Sequence, residues 1–248
     1  MLNSEDFKKE KIDYNERFSG ILGSDYNLFE KSVPWHEELQ NTIKETISNY
    51  CSLNDEAKEF KAIDAGCGTG ITTIRILDAD KRIKVIAIDN EEKTLKQAEE
   101  ALKDKVDRID FIKDDLLSAL EKVEDGSANI FASAYVIHNL PIGYREKFFK
   151  EIARVLKSGG LFINADKYAR DDESQQKEDL EEQIKDFNIY DKINRPDIKE
   201  EWTKHYHEDE KIQIKEGEQK AILKELGFDN VKTIFRKRME AIILATKK

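Results

Sequence analysis

The run AIDAGCGTGITTIRIL, residues 62–77, starts apolar, breaks into three glycines at alternate positions (Gly66, Gly68, Gly70) and resumes with helical spacing. A strand that enters a Gly-rich turn and then a helix N-terminus brings a ligand close to bare backbone, because side chains at the turn would fill that space. Two cofactor classes use such a turn. The dinucleotide fingerprint is G-x-G-x-x-G, but here the third glycine comes at Gly70, position 71 is Ile, and an acid, Asp64, sits at the strand end.

Outward from this turn the chain alternates. Phe60–Ala65 reads as a strand, followed by a helix to about residue 79, a strand at RIKVIAID (82–89), a helix at EEKTLKQAEEALK (91–103) and a strand at RIDFIKDD (108–115). A short helix leads to a strand at ANIFASAYVI (128–137), a helix at GYREKFFKEIARVLK (143–157) and a strand at GLFINA (160–165). Strands separated by helices of this length require right-handed crossovers and a parallel sheet covered on both faces. The near-continuous apolar runs KVIAI and NIFASAYVI fit strands buried on both faces. The spacing therefore predicts a doubly wound α/β fold.

The chain's 248 residues suit a single domain with a core of ordinary size. Residues 1–55, with helical spacing over WHEELQNTIKETISNY (35–50), read as an N-terminal helical cap. Residues 171–210 carry fifteen acids against six Lys and Arg, which accounts for nearly all of the net charge of −10. Leu180, Ile184, Phe187, Tyr190 and Trp202 recur there on one side, so 167–210 reads as an amphipathic helical lid after the fifth strand. A helix at EGEQKAILKELGF (216–228) and two β-rich runs, VKTIFRKR (231–238) and MEAIILATK (239–247), form a terminal antiparallel pair.

A whole-chain field of this sign opposes general attraction to a phosphate backbone. Two distant cysteines, Cys51 and Cys67, read as free thiols of a reducing cytoplasm and make neither a disulfide framework nor a cysteine metal site. The first twenty residues are charged throughout, without the apolar stretch of a signal peptide or membrane span, and a cytoplasmic location is expected.

D-A-G-C-G-T-G, residues 64–70, resembles the first motif of the class I S-adenosylmethionine-dependent methyltransferases. The resemblance implies a Rossmann-like, mostly parallel seven-stranded sheet with a C-terminal antiparallel hairpin, and S-adenosylmethionine as the cofactor. It implies a loop of Asp64, Gly66, Cys67, Gly68 and Gly70 around the methionine and ribose. Asp89, at the end of the next strand with Asn90 beside it, would accept from the ribose hydroxyls. Asp115, followed by Leu116, would accept from the adenine amino group. Within the family the chain is most similar to the carboxy-S-adenosylmethionine synthases and related tRNA wobble-uridine methyltransferase-like enzymes, through SVPWH (32–36), the Asp89-Asn90 pair and the insertion. That likeness suggests that His36 approaches the cofactor. Two departures speak for ordinary methyl transfer: IKEEW (198–202) lacks the arginine with which the synthases read their carboxylate, and Ala134 replaces their cofactor-binding asparagine.

A sulfonium methyl is already activated, so the protein mainly aligns a nucleophile with the S–CH3 bond and excludes water. Acceptors in doubly wound folds lie beyond the carboxyl ends of the strands, which places Tyr135, His138 and Asn139, then Asp166 and Tyr168, near the methyl group. His138 is the candidate base, since its ordinary pKa is near neutrality; the alternative is that it bonds the following loop. Tyr14, Arg17 and Tyr26 would cross the cleft as a lid or pack beside it. His205-Tyr206-His207 has no metal-ligand spacing, because i and i+2 diverge around a helix, and no metal is expected. Arg236 and Arg238 would face solvent. The expected acceptor is a small molecule in preference to RNA, with no membrane partner; the oligomeric state, a homodimer among the options, stays open.

Overall fold

A computed structural model describes residues 20–248. The segment holding Tyr14 and Arg17 lies outside the described residues. A helical turn α1 (Ile21–Ser24) and a 3-10 segment (Tyr26–Ser32) lead to helix α2 (His36–Leu53). Then come β1 (Phe60–Ala65), α3 (Ile71–Ala79), β2 (Ile83–Asp89), α4 (Glu92–Ala101), β3 (Ile109–Lys113), α5 (Leu116–Leu120), β4 (Ala128–Ala134), α6 (Ile142–Val155) and β5 (Leu156–Lys167). The segment read as a lid is α7 (Glu173–Asp186), α8 (Asn188–Lys192) and α9 (Pro196–Asp209), none of which lines the cleft described below, and α10 (Glu216–Glu225), β6 (Phe228–Lys237) and β7 (Glu240–Lys247) complete the described chain.

The seven strands form one sheet in the order β3-β2-β1-β4-β5-β7-β6. β1 to β5 pair in parallel, while β7 runs antiparallel between β5 and β6. Side chains alternate across a strand, so β1 sends Phe60 and Ala62 to one core layer and Ile63 to the other. The first layer holds Leu39, Ile43 and Ile47 of α2 and Ile76 of α3; the second stacks Phe131, Phe148, Phe149 and Phe162.

Several boundaries differ from expectation: α10 ends at Glu225 so that Phe228 opens β6, and two more shifts frame the fourth and fifth strands. β4 stops at Ala134 although the apolar run continues to Ile137, because Tyr135 turns to φ +59° and Ile137–Asn139 coil into a 3-10 turn whose Ile137 still packs in the core. β5 starts at Leu156, which pairs with Ala128, so LKSGG belongs to the strand and α6 ends at Val155.

The lid buries the side that the sequence pattern marked: Leu180, Phe187, Tyr190, Ile198 and Trp202 join the first core layer. Its partner is the N-terminal cap. The Gln183 side-chain amide donates to Ser32 O (2.8 Å), the Tyr190 hydroxyl to Ser32 Oγ (3.0 Å), and Arg195 pairs with Asp25 (2.8 Å). Arg236 and Arg238 do not simply face solvent. Arg236 lies against Glu216 (3.2 Å), and Arg238 bonds Asp186 and Glu182 while its guanidinium covers the Trp35 ring at 4.8 Å. No helix among the described residues is long and apolar enough to cross a membrane.

Candidate active site

A cleft open to solvent lies at the carboxyl ends of β1, β2 and β4. Its floor is the Gly66–Thr69 loop. Gly68 sits at φ +53°, and a Cβ added there would meet no atom within 4 Å, so the backbone faces open space in a conformation that side chains disfavour. The Gly68 N–H donates to Asp89 Oδ2 (2.8 Å), and Asp89 Oδ1 accepts the Glu91 N–H (2.9 Å). Burial raises the Asp89 carboxyl pKa while these two donors act in the opposite sense. Burial also pushes the Cys67 thiol well up, which keeps it protonated.

Asp115 caps α5: its Oδ1 accepts the Leu117 and Ser118 N–H groups (3.0 and 3.2 Å), while the Tyr144 hydroxyl donates to its Oδ2 (2.9 Å). Asp115, Leu116 and Tyr144 make one wall, with Asn90, Glu91 and Thr94 beside Asp89. The cap supplies Tyr26, His36 and Gln40, the last donating to Thr72 Oγ1 (3.2 Å). The His36 ring stacks on Tyr135 (centroids 6.0 Å, 19° between planes), and burial lowers its pKa to about 4, so it is neutral near pH 7. Tyr135, Asn139 and Leu140 close the far end, where the Asn139 amide donates to Tyr135 O (3.1 Å).

Five expected site residues lie elsewhere, among them Asp166, which is fully buried at the end of β5 and off the cleft. Strand parity puts Asp64 under α3, where it accepts the Thr73 hydroxyl (2.6 Å); it is fully buried, and its pKa rises to about 7 by desolvation, so it braces the loop from behind. Gly70 fits α3 against α4, since a Cβ would come 2.8 Å from Leu102 Cδ1. Tyr168 shares the parity of Phe162, lies fully buried in the second core layer and accepts from the Asn164 amide (2.7 Å), off the cleft. His138 is not a cleft base: its Nδ1 meets Asp166 Oδ1 (2.5 Å), its backbone N–H donates to Asp166 Oδ2 (3.1 Å), and its ring points under the lid. Burial, with the Lys167 charge acting in the same sense, lowers its pKa. The remaining expected residues, Gly66, Cys67, Gly68, Asp89, Asn90, Asp115, Leu116, His36, Tyr135 and Asn139, all line the cleft.

Tyr144, Gln40 and Thr72 also line it without having been singled out. Only Tyr144 had a legible signal, its place in the first turn of the helix that follows β4. Tyr206 is buried and His207 exposed, as the helical divergence requires, and His205 is buried beside Tyr206.

The cleft fits S-adenosylmethionine. Asp89, Glu91 and Asp115 place carboxylates along a site for a sulfonium cation, and the backbone at Gly68 leaves room. Thr69 Oγ1 and Asn139 Oδ1, both buried in residues of the lining, have no hydrogen-bond partner among the described residues and are free to meet a ligand.

Comparison with known proteins agrees. A family profile described as a methyltransferase domain matches residues 62–160. Curated relatives include the carboxy-S-adenosyl-L-methionine synthase of Nautilia profundicola, 28% identical over 64% of this chain and 63% of that protein. The synthase of Sulfurimonas denitrificans is 25% identical over 96% of each chain. Among solved structures, a SAM-dependent methyltransferase from Aquifex aeolicus aligns with a TM-score of 0.52 at 17% identity, over 79% of this chain and 88% of that one. The Haemonchus contortus phosphoethanolamine N-methyltransferase 2, solved with S-adenosylhomocysteine, aligns at 0.51 and 17% identity over 77% and 49%. The three comparisons meet on the cleft just described: residues 62–160 match a methyltransferase domain, and the chain built around them has the Rossmann-like fold of S-adenosylmethionine-dependent methyltransferases.

Proposed function

We propose that the chain transfers a methyl group from S-adenosylmethionine to a small-molecule acceptor held at the Tyr135–Asn139 end of the cleft. One observation carries this reading: among the described residues lining the cleft there is no Lys or Arg, while Asp89, Glu91 and Asp115 are present. Such a lining favours a cationic sulfonium and offers no counter-charge to a carboxylated one. The cofactor, when bound, supplies an activated methyl carbon. The chain's part is positional: Asp89 and Asp115 hold the nucleoside end, Tyr135 and Asn139 wall the acceptor end, and the lid and cap aromatics exclude water. His36, neutral and beside Tyr135, is the titratable imidazole of the lining.

The acidic residues of IKEEW do not enter this argument, because Glu200 and Glu201 are exposed while Ile198 and Trp202 are buried. The second reading, synthesis of the carboxylated cofactor, draws on the relatives that match 96% of the chain. A tRNA acceptor is disfavoured by the acidic lid. Mass spectrometry of the ligand released from purified protein on denaturation separates the first two readings: S-adenosylmethionine or its demethylated product is expected, and recovery of the carboxylated form overturns methyl transfer. Transfer of label from methyl-labelled cofactor to bulk tRNA, with none to a panel of small amines, phenols and thiols, would overturn the acceptor class.

A further inference from the structure

Outside the cleft, where lid helix α9 meets the end of β5, three metal-ligating side chains converge in a fully buried spot. His138 Nε2 lies 3.7 Å and His205 Nε2 3.6 Å from Asp209 Oδ2, and all three ligand atoms fall within 4.8 Å of one another. Each side chain is at most 4% exposed. We propose that His138, His205 and Asp209 form a binding site for a divalent transition-metal ion of the zinc type, which ties the lid to the sheet.

The tautomer of His138 is the first support. Asp166 takes up Nδ1–H, so Nε2 presents a lone pair, and that buried atom has no hydrogen-bond partner among the described residues. A lone pair turned toward a carboxylate oxygen in a dry interior is repulsive unless a cation offsets the carboxylate, a place that either the Lys167 ammonium or a metal ion can take. A carboxylate that orients a histidine through its other nitrogen is also the arrangement that sets imidazole ligands on metals.

Spacing is the second support. Ligands about 2.0–2.2 Å from a tetrahedral zinc sit roughly 3.3–3.5 Å from each other; the two distances to Asp209, 3.7 and 3.6 Å, exceed that by a few tenths of an ångström, and the two imidazoles lie within 4.8 Å of each other. Two imidazoles and one carboxylate favour zinc-like ions over magnesium or calcium, which demand mostly oxygen, and three protein ligands leave a fourth position for water.

Lys167 is the competitor. Its ammonium contacts Asp209 and lies 3.8 Å from the centre of the Tyr206 ring, so without metal it neutralises the carboxylate that the ion would bind. Entry of a divalent ion requires Lys167 to leave Asp209, which weakens the apparent affinity without removing the donor set. None of the three ligands lines the cleft, so the site is independent of the methyl-transfer reading.

The test uses the full chain, stripped with chelator and titrated with Zn2+ by calorimetry, with Co2+ absorption as a readout of coordination geometry. One ion per chain is expected, with a Co2+ spectrum of low-coordinate type. His205→Ala should weaken binding by more than about 100-fold, and Asp166→Asn, acting through His138, by about 10–100-fold. Lys167→Met should tighten it. His205→Ala leaves the Lys167–Asp209 pair in place and carries the test if Asp209→Asn does not fold; circular dichroism and cofactor binding verify each variant. Absence of binding by the stripped protein, or binding undiminished in His205→Ala, overturns the proposal.

Discussion

Asp89 Oδ2 accepts the Gly68 N–H at 2.8 Å, so the carboxylate that ends β2 holds open the turn that ends β1. Asp89→Ala should therefore weaken binding of S-adenosylmethionine and of its demethylated product together, by ~1.5–3 kcal/mol for each charge-assisted bond lost. Gly68→Ala meets no protein atom, so its loss of affinity should exceed its loss of stability. Calorimetry beside thermal melts separates the two effects. Full affinity in Asp89→Ala would remove the carboxylate from the site.

Asp115 has two tasks, capping α5 and facing the cleft. Asp115→Asn keeps the capping acceptor, whereas Asp115→Ala loses it at ~0.5–2 kcal/mol of stability. Both should lose cofactor affinity if the carboxylate reads the adenine amino group. An Asn variant that binds as the wild type does would leave only the cap.

Asp64 ties stability to pH. The folded chain keeps its proton up to about pH 7, whereas an unfolded carboxyl releases it near 3.8. The folded state binds more protons in that window, so this group's contribution falls as pH rises through it, by at most about 4 kcal/mol. Asp64→Asn, which can still accept the Thr73 hydroxyl, should unfold at higher denaturant than wild type at pH 8 and at the same denaturant at pH 4. A parallel offset at both pH values would refute the assignment.

Trp202 packs on Phe29 (centroids 4.6 Å), which in turn meets Tyr135 (5.1 Å) at the acceptor end. Trp202→Ala should cost about 3–5 kcal/mol and loosen that end, while Asp89, Asp115 and the glycine loop keep cofactor affinity within about tenfold. Turnover of any acceptor found by screening should drop by far more. Unchanged turnover in a folded variant would separate the lid from the reaction.

The parallel sheet and the cofactor loop are legible because they rest on local signals: buried apolar strands, helical periodicity, and glycines whose spacing a ligand dictates. Asp89 and Asp115 end strands, and their position follows from the strand itself. Tyr168 also lies at a strand end, but its parity with Phe162 sends it into the second core layer. His138 is illegible for another reason. Its partners Asp166 and Asp209 lie 28 and 71 residues away, so no spacing signal could show that its ring turns from the cleft to the lid. Arg238 likewise looks like a turn charge until Asp186, 52 residues earlier, comes beside it.

The cap is stitched to the lid by bonds that span 151 residues from Ser32 to Gln183, 158 from Ser32 to Tyr190 and 170 from Asp25 to Arg195. During synthesis the cap therefore emerges long before its partners, and the strands between them can pair while Phe29 and Val33 still lack their cover. Closing so large a loop comes after the sheet has formed. The cap should thus be the last part of the described chain to gain protection from proteolysis during refolding and the first to lose it on mild heating, and the cofactor cleft, whose wall includes Tyr26 and His36, is completed only at that final step.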